Sequence, residues 1–326
     1  MKRRTALQFA GALLSLPALA LAQAPKRHRL GLLATTDELS VKPFFLDTFL
    51  AGMLDLGYAL DRNFVLDIRY ARGDMSRLPA LADELLALKP DLVMGIETAA
   101  AVLSKKTTTV PIVLVGSADP VAAGLVKSLA HPGTNVTGMA HLYVELIAKQ
   151  IELLTEMIPR MSRIAFLNDS SAVARDRFQQ SAQAAAKAKG LKLIEASAQD
   201  AEGVRRAFAH FKTERAEGVV INPSGTMVVQ RHEIMREALR LRLPAVYAQG
   251  EVPQQGGLVS YGANLPASYR LEVPRFVDRI LKGAKPADLP VQQTTRYELV
   301  INLKAARNIG ITIPKSVLLR ADRVIE

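Results

Sequence analysis

Short apolar runs alternate with amphipathic stretches along most of the chain, and this pattern predicts alternating strands and helices. In the first half, strands are predicted at residues 30–33, 63–68, 91–95 and 110–115. Helical spacing of the apolar positions separates them at residues 43–56 and 78–88. Strands that alternate with helices indicate βαβ units and a parallel sheet with both faces covered.

The pattern pauses at a Pro/Gly-rich stretch, residues 131–138, and then begins again. A long amphipathic helix is predicted at 144–158, and the strands after it are predicted at 163–167, 191–196, 218–221 and 244–248. Intervening helices are predicted at 172–189, from Asp200, and at 228–241, with a further helix at 266–282 before a closing strand–helix section.

This repetition predicts an α/β fold of two Rossmann-like, doubly wound lobes joined by hinge strands. We assign residues 28–138 plus 256–285 to lobe I and 139–255 plus 286–326 to lobe II. Doubly wound sheets bind ligands outside the carboxyl ends of their strands, so a ligand cleft is expected between the lobes.

The N-terminus has the pattern of a secretory signal peptide. Lys2-Arg3-Arg4 precedes an apolar run at residues 9–21, and Ala20-Leu21-Ala22 provides a small-x-small cleavage site. We predict a signal peptide at residues 1–22 and export to the periplasm, with the general secretory and twin-arginine routes both open. No stretch reaches about 18 uninterrupted apolar residues, so the mature protein is not expected to be embedded in a membrane.

Composition excludes several classes of protein. The net charge of +11 falls to +8 without residues 1–22, the basic residues are scattered, and aromatic residues are only 5% of the chain. Nucleic-acid binders usually concentrate their charge and supply aromatic stacking platforms, so no nucleic-acid partner is expected. The absence of cysteine excludes disulfides, Cys-ligated metal sites, a cysteine nucleophile and a lipid anchor on cysteine.

No catalytic motif is recognisable, and we expect neither catalytic residues, metal nor cofactor. The five histidines have no metal-ligand spacing, and the chain lacks a G-x-S-x-G elbow, a Walker loop and a G-x-G-x-x-G fingerprint. An exported α/β enzyme is a third class of function, because distant carboxylates can converge in a cleft.

Polar residues come directly after four of the predicted strands. They lie at residues 97–98, 117–119, 168–171 and 222–224. Each could simply cap a helix, the commonest role for Ser, Thr, Asp and Asn at such places. Together, at strand ends in two facing lobes, they predict a binding site for a ligand with polar or anionic groups.

Several ordered segments resemble a known family. They are DPVAAGLV at 119–126, PGTNVTG at 132–138, RLPALA at 77–82, GGL and SYG within 256–262, ILKG at 280–283, PADLP at 286–290 and ELVINLK at 298–304. This set resembles ABC transporter substrate-binding proteins of the tryptophan/tyrosine-importer type, over nearly the whole mature chain.

The resemblance implies a type I periplasmic binding protein, without enzymatic activity, that closes on a small polar organic ligand such as an aromatic amino acid. The expected partners are that ligand, an ABC permease and its ATPase, and the expected state is a monomer. A sensory binding protein that reports to a membrane receptor is the alternative function. The ligand-binding positions implied by the match are Thr98, Ala99, Ser117, Asp119, Ser170, Ser171, Asn222, Ser224 and Tyr261.

Two of these positions lead to sharper expectations. Asp119 precedes Pro120, so its carboxylate either caps a helix that begins there or accepts hydrogen bonds from a ligand ammonium at the cleft wall. Thr98 follows Glu97, where many relatives have small or proline residues, so this chain departs from the family beside the expected cleft.

Overall fold

The computed structural model describes residues 27–326, apart from Ala118, Leu142, Ala172, Val173 and Thr295. The side chains of Ser40, Pro43, Phe44 and Glu97 are likewise not described. The predicted signal peptide, residues 1–22, lies outside the described residues.

The described chain contains strands and helices in regular alternation. The strands are β1 His28–Ala34, β2 Phe64–Tyr70, β3 Leu92–Ile96, β4 Ile112–Gly116, β5 Val136–Ala140, β6 Arg163–Asp169, β7 Lys192–Ala198, β8 Val219–Ile221, β9 Ala245–Tyr247, β10 Val259–Ala263, β11 Gln292–Gln293, β12 Tyr297–Asn302 and β13 Arg323–Ile325. The helices are α1 Glu38–Val41, α2 Asp47–Asp55, α3 Leu78–Ala87, α4 Glu97–Lys106, α5 Tyr143–Met157, α6 Arg175–Ala188, α7 Ala201–Thr213, α8 Gly225–Val229, α9 Arg231–Arg240, α10 Leu265–Leu281, α11 Leu303–Ile309 and α12 Lys315–Leu318.

The first sheet has the order β11-β5-β4-β3-β1-β2, and all of its neighbouring strands pair in parallel. Alternate residues of its strands face opposite sides, as the period of two requires. Leu32 and Met94 pack with α2 and α10 on one side, whereas Leu33 and Val93 pack with α3 and α4 on the other. Both faces of the sheet are therefore buried beneath helices.

The second sheet has the order β13-β12-β10-β9-β8-β6-β7, in which β10 and β12 pair antiparallel and the other neighbours pair in parallel. Phe166 and Val220 pack with α5 and α6 on one face. Leu167 and Val219 pack with α7 and α9 on the opposite face. The fold class predicted from the sequence, two Rossmann-like doubly wound lobes, is confirmed.

The chain passes between the two sheets three times. The first crossing follows β5 and leads to the second sheet. The second follows β10 and leads back into α10, which packs against α2 beside the first sheet. The third lies between β11 and β12 and leads to the second sheet again. Two of the lobe assignments made from the sequence differ from this path of the chain. β10 belongs to the second sheet because it pairs with β9 and β12, although residues 256–285 were assigned to lobe I. β11 belongs to the first sheet because it pairs with β5, although residues 286–326 were assigned to lobe II.

Two predicted helices also differ. Residues 120–124 form a turn and not a helix, since Gly124 takes a left-handed φ of 69° and Leu125 then enters the core. The helix predicted at 228–241 is two helices, because Ser224 caps α8 earlier in the chain and Gln230 separates α8 from α9.

Among the described helices, none combines the length and the apolar character needed to cross a membrane.

Candidate functional site

A cleft of about 240 Å³ lies between the two lobes. Its walls come from the carboxyl ends of β1, β3 and β4 in the first lobe and from the loops after β6, β8 and β9 in the second. This is the location that doubly wound sheets favour for ligands, because loops leave the sheet there and helix N-termini point toward it.

Aromatic and aliphatic side chains cover much of the cleft wall. Phe45 and Tyr269 both line it, and their rings meet edge-on with centroids 5.2 Å apart and an angle of 82° between them. Phe49 stacks behind Phe45 at 5.3 Å and fixes the orientation of that ring. Tyr143 adds a third aromatic ring at the start of α5. A wall of this kind holds flat apolar groups by burial and edge-to-face contact.

Asp169, the last residue of β6, places a carboxylate in the cleft. It is only 2% exposed, and its Oδ1 accepts hydrogen bonds from the Ser171 backbone N–H at 2.8 Å and from Ser171 Oγ at 2.6 Å. These bonds hold the carboxylate in place. Its Oδ2 atom has no hydrogen-bond partner among the described residues, so it is available to a ligand.

Glu251 places a second carboxylate in the cleft, in the loop that follows β9. Burial raises the pKa of the Glu251 carboxyl, whereas a hydrogen bond from its own backbone N–H and the nearby Arg231 guanidinium oppose that rise. Arg231 also lines the cleft, but it donates from Nε to Gln255 Oε1 at 3.0 Å and from Nη1 to the Val228 carbonyl at 2.8 Å. Within the described chain, no cation lies within 4 Å of the Glu251 carboxylate.

His141 and Ser117 line the cleft where the chain first passes between the lobes. The His141 backbone N–H donates to the Ser117 carbonyl at 2.7 Å, and His141 Nδ1 lies 2.9 Å from Thr294 Oγ1 in the third connection. Burial lowers the pKa of His141 to about 4, so the imidazole is neutral at physiological pH. Its Nε2 atom and Ser117 Oγ are buried without a described hydrogen-bond partner.

The first turn of α4 offers backbone donors to the cleft. Thr98 lines the cleft, and Ile96, at the N-cap position, makes no side-chain capping bond. The free N–H groups at the start of a ten-residue helix favour an anion such as a carboxylate. Glu97 is the residue at which the sequence departs from the family, and its side chain is not among those that the structure describes.

The structure brings four of the nine sequence-predicted residues together in the cleft. These are Thr98, Ser117, Ser171 and Ser224. Ser224 also caps α8, because its Oγ accepts the Met227 N–H at 3.3 Å. The cap and the cleft position are therefore compatible roles for one side chain.

The other five predicted residues do not line the cleft. Ala99 is fully buried on the inner face of α4, and Asn222 is fully buried with its Nδ2 donating to Asn168 Oδ1 at 2.7 Å. Tyr261 stacks on Tyr297 between β10 and β12, with ring centroids 6.2 Å apart. Ser170 is half-buried outside the lining.

Asp119, the fifth of these residues, caps a turn. Its Oδ1 accepts the N–H groups of Val121 at 3.1 Å and Ala122 at 2.9 Å, and its Oδ2 is ion-paired with Arg177 of the other lobe. The capping role is confirmed, although the capped element is a turn. The structure gives Asp119 an inter-lobe partner in the place of the expected contact with the ligand.

Asp119→Asn should therefore have little effect on ligand affinity. Asn retains the capping oxygen and loses the pair with Arg177, a half-exposed ion pair worth at most about 1 kcal/mol. We expect the dissociation constant measured by calorimetry to change by less than about fivefold. A loss of affinity of about 30-fold or more would show that Asp119 binds the ligand.

Sequence reasoning missed several residues of the cleft. Asp169 lies in the strand-end group 168–171 but was not selected as a ligand-binding position, and Glu251 follows β9, so the same strand-end signal could have found it. Phe45 and Tyr269 gave no such signal, because apolar residues at helical spacing are indistinguishable from core residues. In the described chain, no group of three or more His, Asp or Glu residues has the geometry of a metal site.

A ligand-sized cleft between two doubly wound lobes is typical of two-lobed solute-binding proteins. The chain belongs to the ABC transporter substrate-binding protein family, whose family model matches residues 45–325. This confirms the family resemblance and places the chain among solute-binding proteins.

Individual relatives agree with this assignment. The tyrosine-binding protein of Clostridioides difficile strain R20291 is 26% identical over 256 residues, which are 78% of this chain and 73% of that protein. A Streptococcus pneumonia structure, described as the ABC domain in complex with L-Trp, is 27% identical with a TM-score of 0.84. A conserved domain protein of Vibrio cholerae is 27% identical with a TM-score of 0.86. Each of these two structures covers 92% of this chain and is matched over its full length.

Proposed function

We propose that this protein is the periplasmic binding component of an ABC importer. Its two lobes close on one small organic ligand, and the closed form delivers that ligand to a membrane permease and its ATPase. Membership of the substrate-binding family supports the transport role, and the signal-peptide pattern of the sequence supports the location.

We propose an aromatic amino acid as the ligand. The observation that carries this proposal is the combination of an aromatic wall with a fixed carboxylate and an uncapped helix N-terminus in one cleft. Asp169 would bind the α-ammonium group, and the first turn of α4 with Thr98 would bind the α-carboxylate. Phe45, Tyr269 and Tyr143 would enclose the side chain. The L-Trp and tyrosine named for two relatives agree with this ligand class.

The ligand can be identified directly. Protein purified without refolding should release a small molecule on denaturation, and mass spectrometry of the supernatant should detect it. Calorimetry of the stripped protein with Trp, Tyr and Phe should then show one site per chain for at least one of them. If no compound is released and none of the three gives heat, the proposed ligand class is wrong.

Ligand binding should also stabilise and compact the protein. A ligand that binds only the folded state adds about 2.7 kcal/mol to the free energy of unfolding at a hundredfold excess over Kd, so the melting temperature should rise. Small-angle scattering should show a smaller radius of gyration in the same sample. A tight ligand that raises the melting temperature with no change in the radius of gyration would contradict closure of the lobes.

A further inference from the structure

We propose that Asp169 and Glu251 form two separate carboxylate subsites, so that the ligand carries a second hydrogen-bond donor, remote from its α-ammonium group, that contacts Glu251. This inference deepens the proposed function and rests on it. It makes Glu251 a residue that determines specificity among aromatic amino acids.

The two carboxylates belong to different parts of the cleft wall. Asp169 ends β6 and Glu251 follows β9, and β8 lies between these two strands in the sheet. Neighbouring strands are about 4.8 Å apart, so the carboxyl ends of β6 and β9 are separated by about 10 Å. One ammonium group with hydrogen bonds of about 2.8 Å bridges acceptors at most about 6 Å apart. The spacing of these strand ends favours two separate donors, one for each carboxylate, over a single bridging ammonium group.

The surroundings of the two carboxylates also differ. Asp169 lies among hydroxyl groups, with Ser171 bonded to its Oδ1 and Thr226 Oγ1 3.4 Å from Ser171 Oγ. Burial raises the pKa of the Tyr269 phenol, and the nearby charge of Glu251 raises it further. The first setting suits a full positive charge, whereas the second, beside the aromatic wall, suits a donor on an aromatic side chain.

Among the described residues, no other side chain fixes Glu251 in a purely structural role. The described residues provide neither an ion pair within 4 Å nor a hydrogen bond from another side chain to its carboxylate. The carboxylate accepts a hydrogen bond from its own backbone N–H and has acceptor positions left over, so a ligand N–H or O–H would offset the cost of burying its charge. The phenol of Tyr and the indole N–H of Trp are such donors, and Phe has none.

Matched compounds test this directly. The probes are Trp against 1-methyl-tryptophan and Tyr against both O-methyl-tyrosine and Phe, with calorimetry on the stripped full-length mature protein. We expect wild type to bind Trp and Tyr about tenfold more tightly than their donor-free counterparts, as expected for a hydrogen bond to a charged acceptor. In Glu251→Met, which keeps the length of the side chain but lacks the acceptor, this ratio should fall below about threefold.

Asp169→Asn is the matched control, because it alters the other carboxylate. It should weaken both members of each pair alike and leave the ratio unchanged. The ratio measured in Glu251→Met also excludes a steric effect of the added methyl group, since such an effect would persist in the variant. Thermal unfolding and circular dichroism of each variant establish that it is folded.

The outcomes separate the two proposals. If the members of each pair bind wild type equally, or if Glu251→Met keeps the wild-type ratio, Glu251 is not a specificity residue, although the aromatic amino-acid ligand stands. If Glu251→Met weakens all compounds equally, Glu251 binds the α-ammonium group and the inference is also wrong. If none of the five compounds binds wild type, the proposed ligand class fails and this inference fails with it.

Discussion

Asp169→Asn should reduce the affinity for Trp by about 30-fold or more, while the free energy of unfolding stays close to that of wild type. Asn retains an oxygen that can accept the Ser171 N–H, so the turn after β6 is preserved. The substitution removes the negative charge that faces the ligand ammonium. Breaking a buried charge pair in this way costs about 2–5 kcal/mol of binding free energy. Calorimetry gives the affinity, and thermal unfolding gives the stability.

Asp176→Asn provides the control for this experiment. Asp176 belongs to the same lobe and is exposed in the first turn of α6, away from the cleft lining. The variant loses the same charge, so any general effect of lobe charge appears in it too. We expect its affinity for Trp to match that of wild type. If Asp169→Asn bound Trp as tightly as Asp176→Asn, the ammonium assignment would be wrong.

The second large effect concerns stability at acid pH. Burial lowers the pKa of His141 from 6.5 in the unfolded chain to about 4 in the folded protein. The unfolded chain therefore binds a proton more readily between these two pH values, and the free energy of unfolding falls as the pH falls from 6.5 toward 4. The expected contribution reaches about 3 kcal/mol near pH 4, at about 1.4 kcal/mol per pH unit. Urea unfolding at a series of pH values measures it.

The variant that isolates this contribution is His141→Gln, which has no group that titrates in this range. Its stability should fall less steeply than that of wild type between pH 6.5 and 4, whatever its stability at neutral pH. His210→Gln is the control, because His210 is exposed on α7. It should follow the wild-type curve. Equal slopes for wild type and His141→Gln would show that His141 does not resist protonation in the folded protein.

Much of the fold followed from local patterns. The amphipathic spacing from Val144 onward predicted α5, and Asp200 was expected to begin α7, where its Oδ1 accepts the Gly203 N–H at 2.7 Å. Polar residues at strand ends predicted the edge of both sheets at which the cleft lies. These features depend on residues close together in sequence, and such residues report local structure reliably.

Features that depend on pairing between residues far apart in the sequence could not be predicted from local patterns. The pattern around β10 reads as a strand, but only its partners β9 and β12 decide to which lobe it belongs. The same limit applies to the site. Asp169 ends a strand, and Asp119 follows one closely. The turn after Asp119 directs its carboxylate to Arg177, whereas the chain after Asp169 leaves the Asp169 Oδ2 atom free. Tyr269 reaches the cleft only because α10 returns to the first lobe.

The most direct test is a crystal structure of the stripped protein soaked or co-crystallised with Trp. The account predicts one Trp between the lobes, with its ammonium on Asp169, its carboxylate at the first turn of α4 and its indole N–H on Glu251. Density for Trp elsewhere, or a reversed orientation with the ammonium on Glu251, would contradict it.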